Sequence, residues 1–184
     1  MSVTHEQRLL TWSDYLDLPG ETRNTDLVDG KLIVNAPSSQ HERVLGNLLF
    51  AARLWLREVG RLGAWTTQQP VQINERRGYQ PDASWFPVEQ CAPPREPARH
   101  TGLPAVVVEV LSPSTRSIDL LRKRTDYEQL GIAEFWVFDP VPSSALVLRR
   151  DGGRYVDVPL APADHLTSPL MPGFSVLVES LFVE

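Results

Sequence analysis

The stretch AVVVEVL, residues 105–111, decides the fold of this chain. A continuous β-branched run of this kind is typical of a strand that is buried on both faces. Pro113 ends the run, a helix is predicted from about Ile118 to Leu130, and EFWVFD at residues 134–139 is predicted as the next buried strand. Strand, helix and strand at this spacing form a βαβ unit, so the two strands should be parallel neighbours with a right-handed crossover.

Hairpin signals on both sides of this unit predict that the sheet also contains antiparallel strands. DLVDGKLIV at residues 26–34 is predicted as two short strands around an Asp-Gly turn. Residues 145–150 and 154–158 flank the turn 151–153, which is Asp-Gly-Gly, and predict a second hairpin. The expected fold class is therefore α/β, with a mixed β-sheet flanked by helices, a central strand-helix-strand unit and antiparallel hairpins.

The N-terminal half of the chain supplies further helices and strands. Residues 10–18 predict a short amphipathic helix. Ser39 followed by Glu42 is a capping-box pattern, and apolar residues then recur at helical spacing, which predicts a long helix. Residues 64–73 and 79–86 are predicted as two strands joined by a polar turn.

Length and composition indicate one globular domain over residues 1–184. The hydrophobic fraction of 42% and the charged fraction of 22% are ordinary for a folded protein. No apolar run approaches the roughly 18 residues that span a bilayer, and the first residues lack the order of a signal peptide. We therefore expect a cytoplasmic protein with no membrane partner. Residues 87–104 show no apolar repeat and predict a functional loop.

The charge balance opposes binding to nucleic acid, because phosphate binding depends largely on Lys and Arg. Against 18 Lys and Arg residues stand 23 Asp and Glu residues, which gives a net charge of -5. Basic residues nevertheless occur in clusters. These clusters could form a local positive rim, or they could be solvated helix faces. The clustered residues are Arg53, Arg57, Arg61, Arg116, Arg122, Lys123 and Arg124.

Glu109 is the anomaly in the decisive strand. An ionised carboxylate on a doubly buried strand costs several kcal/mol unless a cation or hydrogen bonds compensate it. Lys123 is the candidate cation, because a helix that begins near residue 118 places it on the apolar stripe that faces the sheet. The stripe consists of Leu120, Lys123, Tyr127 and Leu130, and Tyr127 is an accessory candidate for the same site.

Asp82, in PDASWF at residues 81–86, is a second acid among apolar neighbours. Two inward carboxylates favour a shared divalent cation, and oxygen ligands favour Mg²⁺ or Mn²⁺. Lys123 beside that cation could orient or deprotonate a water molecule. His41, on the apolar face of the long helix, is an accessory candidate. The alternative is that Glu109 and Lys123 form a buried ion pair while Asp82 caps a turn.

The motifs PDASWF, VVVEVLSPST, DLLRKRTDY and GIAEFWVFDP occur in this order along the chain. With them the chain resembles the Uma-type putative restriction endonuclease family, which belongs to the PD-(D/E)XK nuclease superfamily. The resemblance extends from LTWSDYLDLP near the start, through VDGKL, to LTSPLMPGFSV near the end. It implies a restriction-endonuclease-like domain over nearly the whole chain.

The resemblance also implies roles for individual residues. It implies Asp82 and Glu109 as metal ligands, the backbone carbonyl of Val110 as a third ligand, and Lys123 as the catalytic lysine. In the superfamily pattern the lysine stands two residues after the acid, where this chain has Leu111. Lys123 would therefore substitute for it from the following helix.

A further family acid is implied at Asp26, where many members have Glu and this chain has the shorter side chain. The function expected from the resemblance is a metal-dependent endonuclease that uses Mg²⁺ or Mn²⁺ to hydrolyse phosphodiester bonds in nucleic acid, with DNA as the expected substrate. The alternative is a catalytically inactive binding or interaction module that retains the nuclease fold. A homodimer is also expected, because Leu146 and Leu148 on short strands would be exposed.

Overall fold

A computed structural model describes residues 8–18, 24–60, 62–91, 102–112 and 118–183. The chain divides into two compact units. Unit 1 comprises Met1–Ala36 and Pro70–Gln80, and unit 2 comprises Pro37–Gln69 and Pro81–Glu184. The expectation of a single domain over residues 1–184 stays a prediction.

Three α-helices and twelve strands occur in the described residues. In chain order they are α1 (Trp12–Leu16), β1 (Thr25–Val28), β2 (Lys31–Val34), α2 (Ser39–Val59), β3 (Gly63–Thr67), β4 (Val71–Asn74), β5 (Arg77–Tyr79), β6 (Ala83–Pro87), β7 (Val106–Val110), α3 (Ile118–Leu130), β8 (Glu134–Asp139), β9 (Ser144–Asp151), β10 (Arg154–Leu160), β11 (His165–Thr167) and β12 (Ser175–Leu177). Two short 3₁₀ helices cover Val88–Gln90 and Val178–Leu181.

Unit 1 contains a four-stranded antiparallel sheet in the order β2-β1-β5-β4, together with α1. Asp29 and Gly30 have φ values of 50° and 77°, as a two-residue type I′ hairpin requires. The predicted Asp-Gly hairpin is therefore confirmed, and so is the first short helix. Trp12 of α1 lies so close to Gly78 of β5 that a Cβ atom there would overlap its indole ring. The glycine lets the helix pack directly against the strand.

The prediction of two strands at residues 64–73 and 79–86 was wrong, because residues 64–73 include parts of β3 and β4, and residues 79–86 include the last residue of β5 and most of β6. Gln68 has a φ of 53°, and Pro70 follows it without a backbone N–H to continue the ladder. Pro81 interrupts the second segment in the same way. β4 then pairs with β5 in unit 1, whereas β3 pairs with β6 in unit 2.

Unit 2 contains a six-stranded mixed sheet in the order β10-β9-β8-β7-β6-β3. β7 and β8 are parallel, with Val106 opposite Glu134, and the other neighbouring pairs are antiparallel. Gly152 and Gly153, both with positive φ, form the turn between β9 and β10. The α/β class, the strand-helix-strand unit and the second hairpin are therefore confirmed.

The two longer helices of unit 2 pack against opposite faces of this sheet. Successive side chains of a strand alternate between faces. Val106, Val108 and Val110 accordingly join the buried cluster that includes the apolar stripe of α2. On the other face, Tyr127 of α3 contacts Phe135 of β8 edge to face, with ring centroids 5.1 Å apart. Glu109, between Val108 and Val110, belongs to the face that α3 covers.

α2 begins one residue earlier than the capping pattern predicted. Ser38 is the N-cap, and its side chain accepts a hydrogen bond from the His41 N–H at 3.2 Å. His41, rather than Glu42, therefore occupies the third helical position, and the predicted Ser39 to Glu42 capping box was wrong. Gly60 caps the C-terminus of the helix with a positive φ of 85°, a conformation that glycine adopts readily.

The surface suggested for a homodimer was predicted incorrectly, because Leu148 is fully buried in unit 2 and Leu146 is partly buried. Most of the predicted loop at residues 87–104 lies outside the described residues, as does Pro113. In the part of the chain that the structure describes, no helix is long and apolar enough to cross a bilayer. A cytoplasmic location stays a prediction.

Candidate active site

Glu109 contacts two side chains of α3. Its Oε2 accepts a hydrogen bond from Lys123 Nζ at 3.0 Å, and its Oε1 accepts one from the Tyr127 hydroxyl at 3.2 Å. Lys123 and Tyr127 are four residues apart, so they lie on the same face of the helix. The Lys123 side chain is only 4% exposed. The structure thus brings together the three residues that helical spacing placed on one site.

Asp82 directly precedes β6, and one of its oxygens has two partners. Its Oδ2 accepts a hydrogen bond from the Val110 N–H at 2.7 Å and lies 2.9 Å from His41 Nε2. Its Oδ1 makes no hydrogen bond to any residue that the structure describes, and the side chain is mostly buried. One carboxylate oxygen of Asp82 is therefore held in place while the other is available to a ligand.

His41 reaches Asp82 from the first turn of α2, on the buried face of that helix. Burial alone would lower the pKa of His41. The hydrogen bond that His41 donates to Asp82 and the charge of that carboxylate, with a smaller effect of Glu42, outweigh burial and raise the pKa of His41. Asp82 thus favours the protonated form of His41 relative to a free imidazole.

The strand register brings the two acids to neighbouring positions. β6 and β7 are antiparallel, and Ala83 lies opposite Val108. Asp82 comes directly before Ala83 and Glu109 directly after Val108, so the two acids occupy neighbouring positions at the same end of the two strands. The Val110 N–H points toward Asp82. Because the N–H and C=O of one strand residue point to the same side, the Val110 carbonyl is directed toward β6 as well. The predicted ligands Asp82, Glu109 and the Val110 carbonyl therefore lie at the same end of two adjacent strands.

These oxygens fit an open metal site better than a closed one. Among the described residues, no group of three or more His, Cys, Asp and Glu side chains is arranged to hold a metal ion. Mg²⁺ commonly uses one or two carboxylates and completes its shell with water and substrate phosphates. All three predicted ligands are oxygen atoms, as Mg²⁺ prefers, and the Oδ1 of Asp82 is the one carboxylate oxygen among them that accepts no hydrogen bond from a described residue.

Asp26, the further acid that the resemblance implied, lies in unit 1 and is buried there. Its Oδ1 accepts a hydrogen bond from the Gln80 N–H at 2.7 Å, and its Oδ2 accepts one from Asn35 Nδ2 at 3.0 Å. Burial and, secondarily, the charge of Asp26 raise the pKa of Tyr15 to about 12. Asp26 therefore has a structural role in unit 1, and its accessory role stays a prediction.

A buried glutamate, Glu134, was missed by the sequence analysis. Glu134 begins β8, its Oε1 accepts a hydrogen bond from Arg149 Nε at 2.9 Å, and its Oε2 accepts one from Trp136 Nε1 at 2.8 Å. Its position at the start of EFWVFD resembled a polar strand end rather than a buried charge. The signal available in the sequence was Arg149, which the predicted hairpin could bring beside it.

Two of the clustered basic residues, Lys123 and Arg124 of α3, are paired with carboxylates. Lys123 is buried against Glu109, and Arg124 forms two hydrogen bonds with Asp157, at 2.8 and 2.6 Å. These neighbouring basic residues therefore have carboxylate partners within unit 2. Chemically, the strand ends carry two carboxylates and a backbone carbonyl, and the buried ammonium group of Lys123 contacts one of the carboxylates, that of Glu109.

Comparison with known proteins supports a nuclease fold. A crystal structure of a putative nuclease belonging to DUF820 from Anabaena variabilis ATCC 29413 is similar to this chain, with a TM-score of 0.77 and 18% sequence identity. The similarity covers 94% of this chain and 97% of the other, and it shows a shared restriction-endonuclease-like fold. No curated protein matches the chain. The model of the Uma2 family, described as "Putative restriction endonuclease", matches residues 12–179, so the chain belongs to this family.

Proposed function

We propose that unit 2 is a metal-dependent endonuclease that hydrolyses phosphodiester bonds in nucleic acid, with DNA as the expected substrate. The observation that carries this proposal is the hydrogen bond of 2.7 Å from the Val110 N–H to Asp82. It fixes the second acid beside the residue that follows Glu109, so the two acids are held at the same end of two adjacent strands, Asp82 by His41 of α2 and Glu109 by Lys123 and Tyr127 of α3. Membership of the Uma2 family supports the assignment to nucleases.

The proposed metal ion is Mg²⁺, or Mn²⁺ in its place. Asp82 and Glu109 would hold it through their carboxylates, and Val110 through its backbone carbonyl. When bound, the ion would polarise a phosphodiester oxygen and lower the pKa of a water molecule. The remaining ligand positions would be taken by water and by substrate, as is usual for this ion.

Lys123 is the proposed catalytic lysine. Its ammonium group lies 3.0 Å from Glu109 and is almost completely buried. In such a dry environment a hydrogen-bond donor acts strongly on developing negative charge. Lys123 would orient the attacking water, whose oxygen forms the new bond to phosphorus while the ester bond to the leaving alcohol breaks. The proton of the water is finally carried by the leaving oxygen.

Tyr127 and His41 are proposed as positioning residues. Tyr127 holds the oxygen of Glu109 that Lys123 does not contact, at 3.2 Å. His41 holds the Oδ2 of Asp82 on the side opposite the available oxygen. Each acid thus has one oxygen fixed by a side chain that is itself buried, which limits its rotation.

The test is cleavage of supercoiled plasmid and of single-stranded DNA with Mn²⁺ or Mg²⁺. Lys123→Ala should lower the rate by about a hundredfold or more, because a donor to the developing charge is lost. Arg124→Ala is the matched control, since it removes the same charge from the next residue of α3 but breaks only an exposed pair with Asp157. It should retain the parent rate. Equal rates for the parent and Lys123→Ala would contradict the assignment of Lys123.

A second candidate function is a non-catalytic binding or interaction module that retains the nuclease fold. Two observations favour it: both oxygens of Glu109 already accept hydrogen bonds from α3, and the net charge is -5. Such a module would cleave no substrate in the same assay. Its melting temperature would also be insensitive to Mg²⁺ and Mn²⁺.

A further inference from the structure

β2 is an edge strand of unit 1 whose apolar side chains are exposed. It lies at one end of the sheet β2-β1-β5-β4. Leu32, Ile33 and Val34 follow one another in it, with Ile33 45% and Val34 73% exposed. Consecutive strand residues point to opposite faces, so apolar surface is presented on both sides of the same edge.

The backbone of this edge is also oriented for pairing. In a two-residue hairpin, the residues that flank the turn are hydrogen bonded to each other, and the pattern then alternates. Lys31 and Ile33 therefore bond to β1, and the hydrogen bond of 2.7 Å from the Asn35 N–H to the Asn24 carbonyl continues this pattern. Leu32 and Val34 consequently direct their N–H and C=O groups away from β1, toward the side of β2 on which no described strand pairs.

In the two larger sheets, the other three edge strands, β3, β4 and β10, are protected in ways that β2 lacks. β4 has a register shift between Gln72 and Asn74, and β10 carries charged residues and Pro159. β3 is partly buried along most of its length. Bulges, charges and prolines are the usual devices that prevent edge-to-edge association. β2 has a continuous register with β1 and a single charge, Lys31, at its first position.

We propose that β2 pairs with β2 of a second copy of this chain. The two strands would be antiparallel and related by a two-fold axis that passes between the two copies of Ile33. In this register Leu32 and Val34 of one copy lie opposite Val34 and Leu32 of the other and form about four backbone hydrogen bonds. Ile33 faces Ile33 of the second copy. Lys31 lies opposite Asn35, so the pairing brings no like charges together.

The strand is thus complementary to itself, as a two-fold interface requires. Pairing joins two four-stranded sheets into one sheet of eight strands. It covers apolar surface on both faces of the edge and satisfies the outward backbone groups of Leu32 and Val34. A single pair of short strands buries little surface, so the dimer should be weak and dependent on concentration.

Sedimentation velocity over a range of protein concentrations tests the dimer. The mass should rise with concentration from 20.7 kDa toward twice that value. Ile33→Lys places two ammonium groups opposite each other on the axis and should keep the protein monomeric. Phe50→Lys is the control, because Phe50 is an exposed apolar residue of α2 in unit 2, and it should dimerise like the parent. A parent chain that stays monomeric at every concentration would overturn the proposal.

Disulfide formation tests the register in a Cys91→Ser background. Ile33→Cys should give a covalent dimer on oxidation, because directly opposite residues have the Cα separation that a disulfide needs. Val34→Cys should not, since the two copies of residue 34 would be about 8 Å apart. Cross-linking that is equally efficient for Ile33→Cys, Val34→Cys and Phe50→Cys would show random collisions and would also overturn the register.

Discussion

Glu109 and Glu134 are two glutamates on neighbouring parallel strands, Glu109 mostly buried and Glu134 fully buried, and their surroundings differ. Both accept a hydrogen bond from a basic side chain and one from an aromatic side chain. The partners of Glu134, Arg149 and Trp136, belong to strands of its own sheet. The partners of Glu109 belong to α3. Glu134 begins β8, whereas Glu109 lies near the carboxyl end of β7.

The comparison separates what burial requires from what function requires. Both carboxylates need compensation, and both receive it, so a paired buried acid is not by itself a functional site. Glu109 differs because its neighbour Val110 donates to a second acid, Asp82. It also lies at the carboxyl end of a parallel strand, where ligands of α/β sheets usually bind. The second acid and the strand end, rather than the ion pair, mark the candidate site.

The largest expected difference concerns stability. Glu109→Leu removes the negative charge 3.0 Å from a buried ammonium and should lower the free energy of unfolding by about 3–5 kcal/mol. Glu134→Leu should cost less, about 1–3 kcal/mol, because Arg149 is partly exposed and can turn toward water. Urea unfolding of the parent and the two variants measures this difference.

The double variant Glu109→Leu with Lys123→Met supplies the control. It removes both charges together, so it should recover most of the stability that Glu109→Leu loses. A residual cost of about 1 kcal/mol is expected because the Tyr127 hydroxyl loses an acceptor. If the double variant were as unstable as the single one, the charge of Lys123 would not be the cause of the loss.

The sequence predicted the centre of the fold because its signals there are local and strong. The β-branched run of β7, the helical spacing of α3 and the glycines of the β9–β10 turn each specify one element. The sequence did not indicate that the two predicted strands are interrupted near Pro70 and Pro81. Which strand pairs with which depends on tertiary contacts, and the two halves of each segment belong to different units.

The candidate site was predictable to a similar extent. Helical phase placed Lys123 on the face toward the sheet, and the cost of burying Glu109 indicated that it needs a partner. The contact between His41 and Asp82 joins residues far apart in the sequence, so spacing alone could indicate only that His41 lies on the buried face. Glu134 was missed because a charge at a strand end carries no local sign of burial.

Metal binding should distinguish the two glutamates by a smaller amount. When the free ion concentration is ten times the Kd, ion binding stabilises the folded protein by about 1.4 kcal/mol. For a chain of this length, this raises the melting temperature by about 3–6 °C. The parent and Glu134→Gln should show this shift with Mn²⁺, whereas Glu109→Gln and Asp82→Asn should not. Thermal unfolding across a metal titration measures it. A shift retained in both site variants would place the ion elsewhere.

The smallest effect is expected for a third carboxylate, Asp157, whose partner Arg124 follows Lys123 on α3 but faces outward. The hydrogen bond from Arg124 lowers the pKa of Asp157, so the unfolded chain binds a proton more readily than the folded protein. The pair therefore contributes its stability above the unfolded pKa of about 3.9 and loses it as the pH falls through the lower folded value. Because both side chains are partly exposed, Asp157→Asn should cost at most about 1 kcal/mol at neutral pH. Urea unfolding of the parent and of this variant measures the effect, and the two free energies of unfolding should converge as the pH falls below about 4. A difference that persists below about pH 4 would mean that packing rather than charge explains the loss.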